Sequence, residues 1–350
     1  MSRRVVIDAS TRAVARSLPL SEWPDAERAA WEHARRKSVR LKPGGAASYL
    51  GDEYCKDLVR RYGQFLNYCK RNGYEHGEPG SLVTPVAVAG FVDELQVRVR
   101  ATTLAQSIYK ISRMGRLIAP KQDFSWLAEI AKDLALVAVP MDKLPRVMTT
   151  ERLVEAGLTL VKQAEISSSG SPHARSLMAR NGLMVAVLAL CPIRLKNFAT
   201  LKIGHSLVEL EGTWWVILRR TKSRRPDERR LPTYLNGAIQ RYLDVHRPVL
   251  VAGAPGDDGF LWIGRCGLEL SSSQVARSVS VATLSTLGVE ISPHLFRACA
   301  ATTAALHGNA MPHLASALLQ HTGSSTIDEH YDRANSLSVG GDFATLIRSL

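Results

Sequence analysis

At 350 residues the chain is longer than one typical domain, so two domains are expected. Apolar residues at 45% and charged residues at 22% are ordinary for a soluble globular protein. Lys and Arg number 45 against 32 acidic residues, and the resulting net charge of +13 and pI near 9.8 favour a polyanionic partner, nucleic acid before a ribosome or a membrane surface. Five scattered cysteines (Cys55, Cys69, Cys191, Cys266 and Cys299) with no Cys-x-x-Cys spacing argue against a disulfide framework and a thiolate metal site. Cys55 and Cys69 fall in helical patterns and read as buried free thiols. The N-terminal stretch lacks the apolar core of a signal peptide, and the most apolar run, Gly182 to Cys191, is too short to span a membrane. A cytoplasmic, reducing location away from membranes is the expectation.

Residues 1–45 read as a basic arm with one helix after Ser21 that carries Trp23, Ala30, Trp31 and Ala34. Pro43-Gly44-Gly45 then breaks the chain. Such an arm can lie along DNA or serve as a mobile solubilising tail. From 46 to 140 the pattern is helical. Leu58, Tyr62, Phe65, Leu66 and Cys69 recur at helical spacing, with Gly73 just past the end. Thr84-Pro85 marks an N-cap and first turn, and Val88, Val92, Leu95 and Val99 line the face behind it. A third helix carries Leu104, Ile108, Ile111 and Ile118, and a shorter fourth carries Leu127, Ile130 and Leu134. Lys56, Arg60, Arg61, Lys70, Arg71, Arg98 and Arg100 give this bundle basic outer faces.

Residues 141–150, with the prolines around them, read as a linker, and Thr149 or Thr150 as the cap of the next helix. The second half is mainly helical with one β interlude. Strands are predicted at Leu207–Leu210 and Trp214–Leu218, joined by Glu211-Gly212-Thr213, and at Arg229–Pro232.

The chemistry concentrates in this half, where Arg194, Lys222, His294, Arg297, His321 and Tyr331 fall in one order. These residue types can break a phosphodiester bond without a metal. Arginines neutralise charge on a pentacoordinate phosphate, lysine and histidines move protons, and tyrosine attacks. Arg194 follows a buried apolar run, which suits a rigidly held guanidinium. Lys222 lies between the second and third strands, where a turn-tip lysine can enter the minor groove and reach a leaving oxygen. Seven of the twelve residues 219–230 are basic, so Arg219, Arg220, Arg224 and Arg225 read as phosphate contacts. Pro293 starts a helix that puts His294 and Arg297 on one face, backed by a small-residue run from Ala298 to Ala305.

With these spacings, the last half of the chain resembles the tyrosine recombinase (phage integrase) family. Leu318-Leu319-Gln320-His321 is similar to its Leu-Gly-His element, and Tyr331 follows ten residues later, a slightly longer gap than is usual there. Pro192, Asn197 and Gln320 depart from the family pattern, which has a small residue, an acidic residue and glycine at those places. The resemblance implies a mainly α fold with a small antiparallel β-sheet, built from a helical core-binding domain (46–140) and a catalytic domain (151–335). The C-terminal helix (336–350) has an apolar stripe at Phe343, Leu346, Ile347 and Leu350, and in the family such a helix is exchanged between protomers.

The implied function is site-specific recombination or integration of double-stranded DNA through a 3′-phosphotyrosyl link, as expected of a mobile genetic element. Tyr331 would be the nucleophile, Lys222 the acid on the leaving 5′ oxygen and His294 a proton-transfer assistant. Arg194, Arg297 and His321 would stabilise the phosphorane. Neither ATP, metal nor another cofactor is implied, since the covalent link keeps the bond energy. A homotetramer on DNA and accessory recombination proteins are the implied partners. A catalytically silent DNA-binding subunit and a type IB topoisomerase-like nicking enzyme are the competing readings.

Overall fold

The computed structural model describes residues 16–139, 144–219, 226–252, 254 and 256–307. The chain divides into two compact units, Met1–Met141 and Asp142–Leu350. Among the described residues no helix is long and apolar enough to cross a membrane.

The first unit is built from helices α1 (Asp25–Arg35), α2 (Asp52–Arg71), α3 (Pro85–Gln96), α4 (Ala101–Ile118) and α5 (Ser125–Leu136). Thr84 caps α3 as its sequence predicts, its Oγ1 accepting from the Ala87 amide at 3.2 Å, with Pro85 in the first turn. Cys55 and Cys69 are buried free thiols. The described part of the stretch read as a basic arm, residues 16–45, packs into this unit. Trp23 and Trp31 are only 3% and 4% exposed and join Leu18 and Ala34 in the same core as Tyr62, Phe65 and Phe91. Trp23 packs edge-on against Tyr62, with ring centroids 5.3 Å apart. Two large aromatics so close together in a short basic segment are core residues because their apolar area outweighs the local charge.

Within this core Glu27 accepts hydrogen bonds from the Tyr62 hydroxyl (3.1 Å) and the Gly80 amide (2.9 Å). Burial raises its pKa above the usual carboxylate range, and the two bonds act against that. The basic outer faces are largely paired internally. Lys56 meets Glu53, Arg60 meets Asp57, and both Arg71 and Arg98 close on Glu94.

The second unit contains α6 (Thr150–Ile166), α7 (Pro172–Leu190), the short α8 (Leu195–Ala199), α9 (Asn236–Arg241), α10 (Arg247–Val251), α11 (Ser272–Leu287) and α12 (Pro293–His307). A π-helical turn, Tyr242–His246, joins α9 to α10. In the stretch read as a linker, partly buried Val147 and Met148 pack against this unit's core, and Leu144–Arg146 forms a 3-10 turn. Thr149 occupies the N-cap position of α6 but makes no side-chain cap bond. Instead the Thr150 amide donates to Thr303 Oγ1 of α12 at 2.9 Å, so a distant hydroxyl does the capping.

Helices α6 and α7 approach closely because Gly157 and Gly182 face each other's backbones. Trp262, Tyr242, Phe198 and Phe296 fill the centre. Trp262 Nε1 donates to the Phe198 carbonyl (2.9 Å) and the Tyr242 hydroxyl to the Leu261 carbonyl (2.8 Å), so these large rings are also satisfied at their polar ends.

A three-stranded antiparallel sheet, in the order β1 (Leu207–Leu210), β2 (Thr213–Leu218), β3 (Asp227–Arg230), interrupts the helices. Glu211 and Gly212 both have positive φ (50° and 70°), making a two-residue hairpin, and Thr213 belongs to the strand rather than the turn. The third strand lies two residues earlier than predicted, with Asp227 opposite Leu218 and Arg229 opposite Val216. Pairing ends after the Leu231 amide donates to the Trp214 carbonyl (2.8 Å), since Pro232 has no N–H to extend the ladder.

Candidate active site

Two chain corners build the described part of the site. At the first, α7 stops at Leu190, and the buried segment Cys191-Pro192-Ile193 turns the chain. The Cys191 amide closes back on the Val187 carbonyl (2.8 Å), and the Ile193 amide donates to the Cys191 carbonyl (2.7 Å). This anchored turn leaves Arg194 half-buried at the N-cap position of α8, where its carbonyl receives the Phe198 amide at 3.0 Å. A guanidinium mounted on a buried turn between two helices has a rigid base.

At the second corner, Pro293 opens α12 as predicted. Leu295, Phe296 and Cys299 point into the core, fixing the helix face, which leaves His294 exposed and Arg297 half-buried. Arg297 Nη1 donates to the Pro192 carbonyl at 2.6 Å, tying the two corners together. Pro192 thus serves the site through its main-chain oxygen, which any residue carries. Burial pushes the Arg297 pKa down to about 10, assisted by the like charges of Arg194 and Arg229, while Asp227 acts in the opposite direction. Holding these guanidiniums together costs electrostatic energy that an anion would return.

Arg229 and Asp227 are charged residues near this corner that the sequence reading did not single out. They lie on the inner side of β3, whereas Glu228 and Arg230 face out. Arg229 forks onto Asp227 through Nε and Nη2, both at 2.9 Å, with side chains only 12% and 11% exposed. Its Nη1 is buried and has no hydrogen-bond partner among the described residues. An unmet buried donor costs about 1–3 kcal/mol, more when charged. The period-two alternation of Asp227 and Arg229 was available in the sequence. Placing the strand at Arg229–Pro232 concealed it.

Asn197 lines a cavity of about 270 Å³ together with Thr200, His205, Ser206 and Arg219. Arg219 is exposed at the end of β2. Lys222, Arg220, Arg224, Arg225, His321 and Tyr331 lie outside the described residues, as does the apolar stripe from Phe343 to Leu350. The structure therefore brings together Arg194 and Arg297 from the predicted set, and it adds Arg229 with Asp227.

No family model matches the sequence, and no curated protein matches it. Among solved structures the chain is similar to the XerH site-specific recombinase bound to its difH substrate in a pre-cleavage complex. The TM-score is 0.54 at 14% identity, covering 79% of this chain and 76% of that one. A post-cleavage complex of XerH with palindromic difH gives a TM-score of 0.52 at 13% identity, covering 79% and 75%. XerA recombinase covers 85% of this chain and 94% of its own at 17% identity, with a TM-score of 0.39. The chain has the tyrosine recombinase fold, mainly helical with a small antiparallel sheet.

Proposed function

We propose that this chain is a site-specific recombinase that cleaves and rejoins double-stranded DNA through a 3′-phosphotyrosyl intermediate. The observation that carries the reading is the hydrogen bond from Arg297 to the Pro192 carbonyl, which joins the turn bearing Arg194 to the start of α12 and leaves both arginines half-buried and near enough for their charges to interact. Arginines so placed can each donate to nonbridging oxygens of one phosphodiester.

In this reading the Tyr331 oxygen attacks the scissile phosphorus, and the bond to the 5′ oxygen breaks. Lys222 gives that oxygen its proton, leaving a free 5′-hydroxyl and a phosphotyrosyl ester. His294 assists proton transfer, and Arg194, Arg297 and His321 stabilise the charge on the phosphorane. A partner strand's 5′-hydroxyl then attacks the ester and releases the tyrosine. One phosphoester is exchanged for another at each step, so no nucleotide hydrolysis drives the reaction. The net charge of +13 suits the polyanionic substrate. The helical first unit would hold the duplex, Arg219, Arg220, Arg224 and Arg225 would contact its backbone, and assembly would be a cytoplasmic homotetramer on two duplexes, as integration or excision of a mobile element requires.

The test is covalent trapping. Nicked duplexes from the borders of the gene's own neighbourhood are incubated with wild type and with Tyr331→Phe, then resolved on a denaturing gel. The expected result is a protein–DNA adduct in wild type that disappears in the variant. DNA binding without any adduct would instead indicate a catalytically silent subunit.

A further inference from the structure

We infer that Arg229 is a third phosphate-binding guanidinium of this site, held in position by Asp227. The inference rests on the reading of the Arg194–Arg297 corner as a phosphodiester site. Strand β3 is an edge strand, and its alternation puts Asp227 and Arg229 on the inner side while Arg230 turns outward. Among the described residues Arg230 there reaches Thr213 Oγ1, at 3.4 Å.

The Asp227 carboxylate engages one edge of the Arg229 guanidinium, taking Nε and Nη2 at 2.9 Å each. The other edge, Nη1, is buried without an acceptor among the described residues. A carboxylate that grips a guanidinium by two atoms fixes its plane, so the remaining donor edge has a set direction. Arg194 and Arg229 each lie close enough for their positive charge to act on Arg297, and Asp227 acts on it as the counter-charge.

Among the described residues, the charges that act on Arg297 include the guanidiniums of Arg194 and Arg229 and the carboxylate of Asp227, on a partly buried face. A purely structural arginine would be expected to spend both edges on protein acceptors. An oxyanion with several acceptor oxygens is the ligand that answers a surplus of fixed N–H donors. An entering oxygen would displace the protein atoms now lying against Nη1.

The experiment is titration of the full chain with inorganic phosphate by calorimetry at low ionic strength, where such contacts are least screened. The double variant Asp227→Asn/Arg229→Gln removes one charge of each sign, so the net field at the site is unchanged and no buried charge is left unpaired. Arg229→Lys keeps the charge but lacks the second donor edge, and it covers the case in which the double variant fails to fold. Arg194→Gln marks binding at this site.

The expected result is phosphate affinity weakened on the order of tenfold in all three, with circular dichroism unchanged. Affinity within about twofold of wild type in Arg229→Lys or in the folded double variant overturns the inference. So does binding that is indifferent to Arg194→Gln, because the phosphate then sits elsewhere. The outcome is separable from that of trapping. Arg229-dependent phosphate binding without any DNA adduct refutes the recombinase reading and leaves the anion site standing. An adduct with phosphate binding indifferent to Arg229 does the reverse.

Discussion

Arg297 and Pro192 meet through a 2.6 Å hydrogen bond although 105 residues separate them in the chain. The bond fixes the start of α12 against the turn that carries Arg194, so one contact holds the Arg297 side chain and links it to the backbone that bears Arg194. Arg297→Lys should therefore lose more than geometry. A lysine nitrogen cannot hold the Pro192 carbonyl and also present a planar fork to phosphate. We expect adduct formation to slow by about 10²–10³-fold, as when one transition-state donor is removed. Binding to the same duplex in a gel shift should change little, and a comparable loss of binding would argue against the assignment.

Two other tyrosines of the second unit, Tyr234 and Tyr242, are distinguished from a nucleophile by different degrees of burial. Tyr242 is 1% exposed and donates to the Leu261 carbonyl, so it has no access to DNA. Tyr242→Phe should preserve the covalent adduct while costing about 1–3 kcal/mol of stability through the unpaired carbonyl. Tyr234 is 59% exposed, and Tyr234→Phe should leave both adduct and melting temperature near wild type. Trapping with each variant, read beside a urea titration, checks both statements.

Glu27 should impose a pH dependence on the helical unit. Its folded pKa is raised by burial, so the folded state binds the proton more tightly than the unfolded chain. The contribution is fully present below the unfolded pKa near 4.5 and is lost as pH rises through the raised folded value. Glu27→Gln stays neutral and keeps a carbonyl acceptor. The melting temperature of the variant relative to wild type should rise as pH increases from 4 to 8. A difference independent of pH would show that Glu27 does not carry this proton.

The close approach of α6 and α7 predicts opposite effects at two helical glycines. A Cβ on Gly182 would lie 2.5 Å from the Gly157 carbonyl oxygen and 2.8 Å from Leu160 Cβ. Gly182→Ala should cost about 1–3 kcal/mol, since both neighbours are fixed by their helices. A Cβ on Gly237 meets nothing within 4 Å, and Gly237→Ala should stabilise by about 0.4–1 kcal/mol. Chemical denaturation of the two variants is sufficient to compare them.

Much of the fold was legible in the sequence where the governing forces act within a few residues. Helical spacing placed Leu58, Tyr62, Phe65 and Leu66 on one buried face, and Thr84-Pro85 capped a helix as local hydrogen bonding requires. The His294-x-x-Arg297 spacing likewise set its two residues on one helical side. The order of candidate catalytic residues came from chemistry and resemblance together.

Other features depended on partners remote in sequence. Trp23 and Trp31 looked like part of a basic arm until the rings of Tyr62 and its neighbours gave them a core to join. Thr149 looked like a cap, but the α6 amide found Thr303 instead. Only the tertiary structure decided that Arg297 would rest on the Pro192 carbonyl and that Asp227 and Arg229 would join Arg194 there. Caps and periodicity are settled by the chain's own neighbours. The charge environment of an arginine depends on which distant backbone oxygens and carboxylates packing delivers to it, and nothing in the local sequence encodes that meeting.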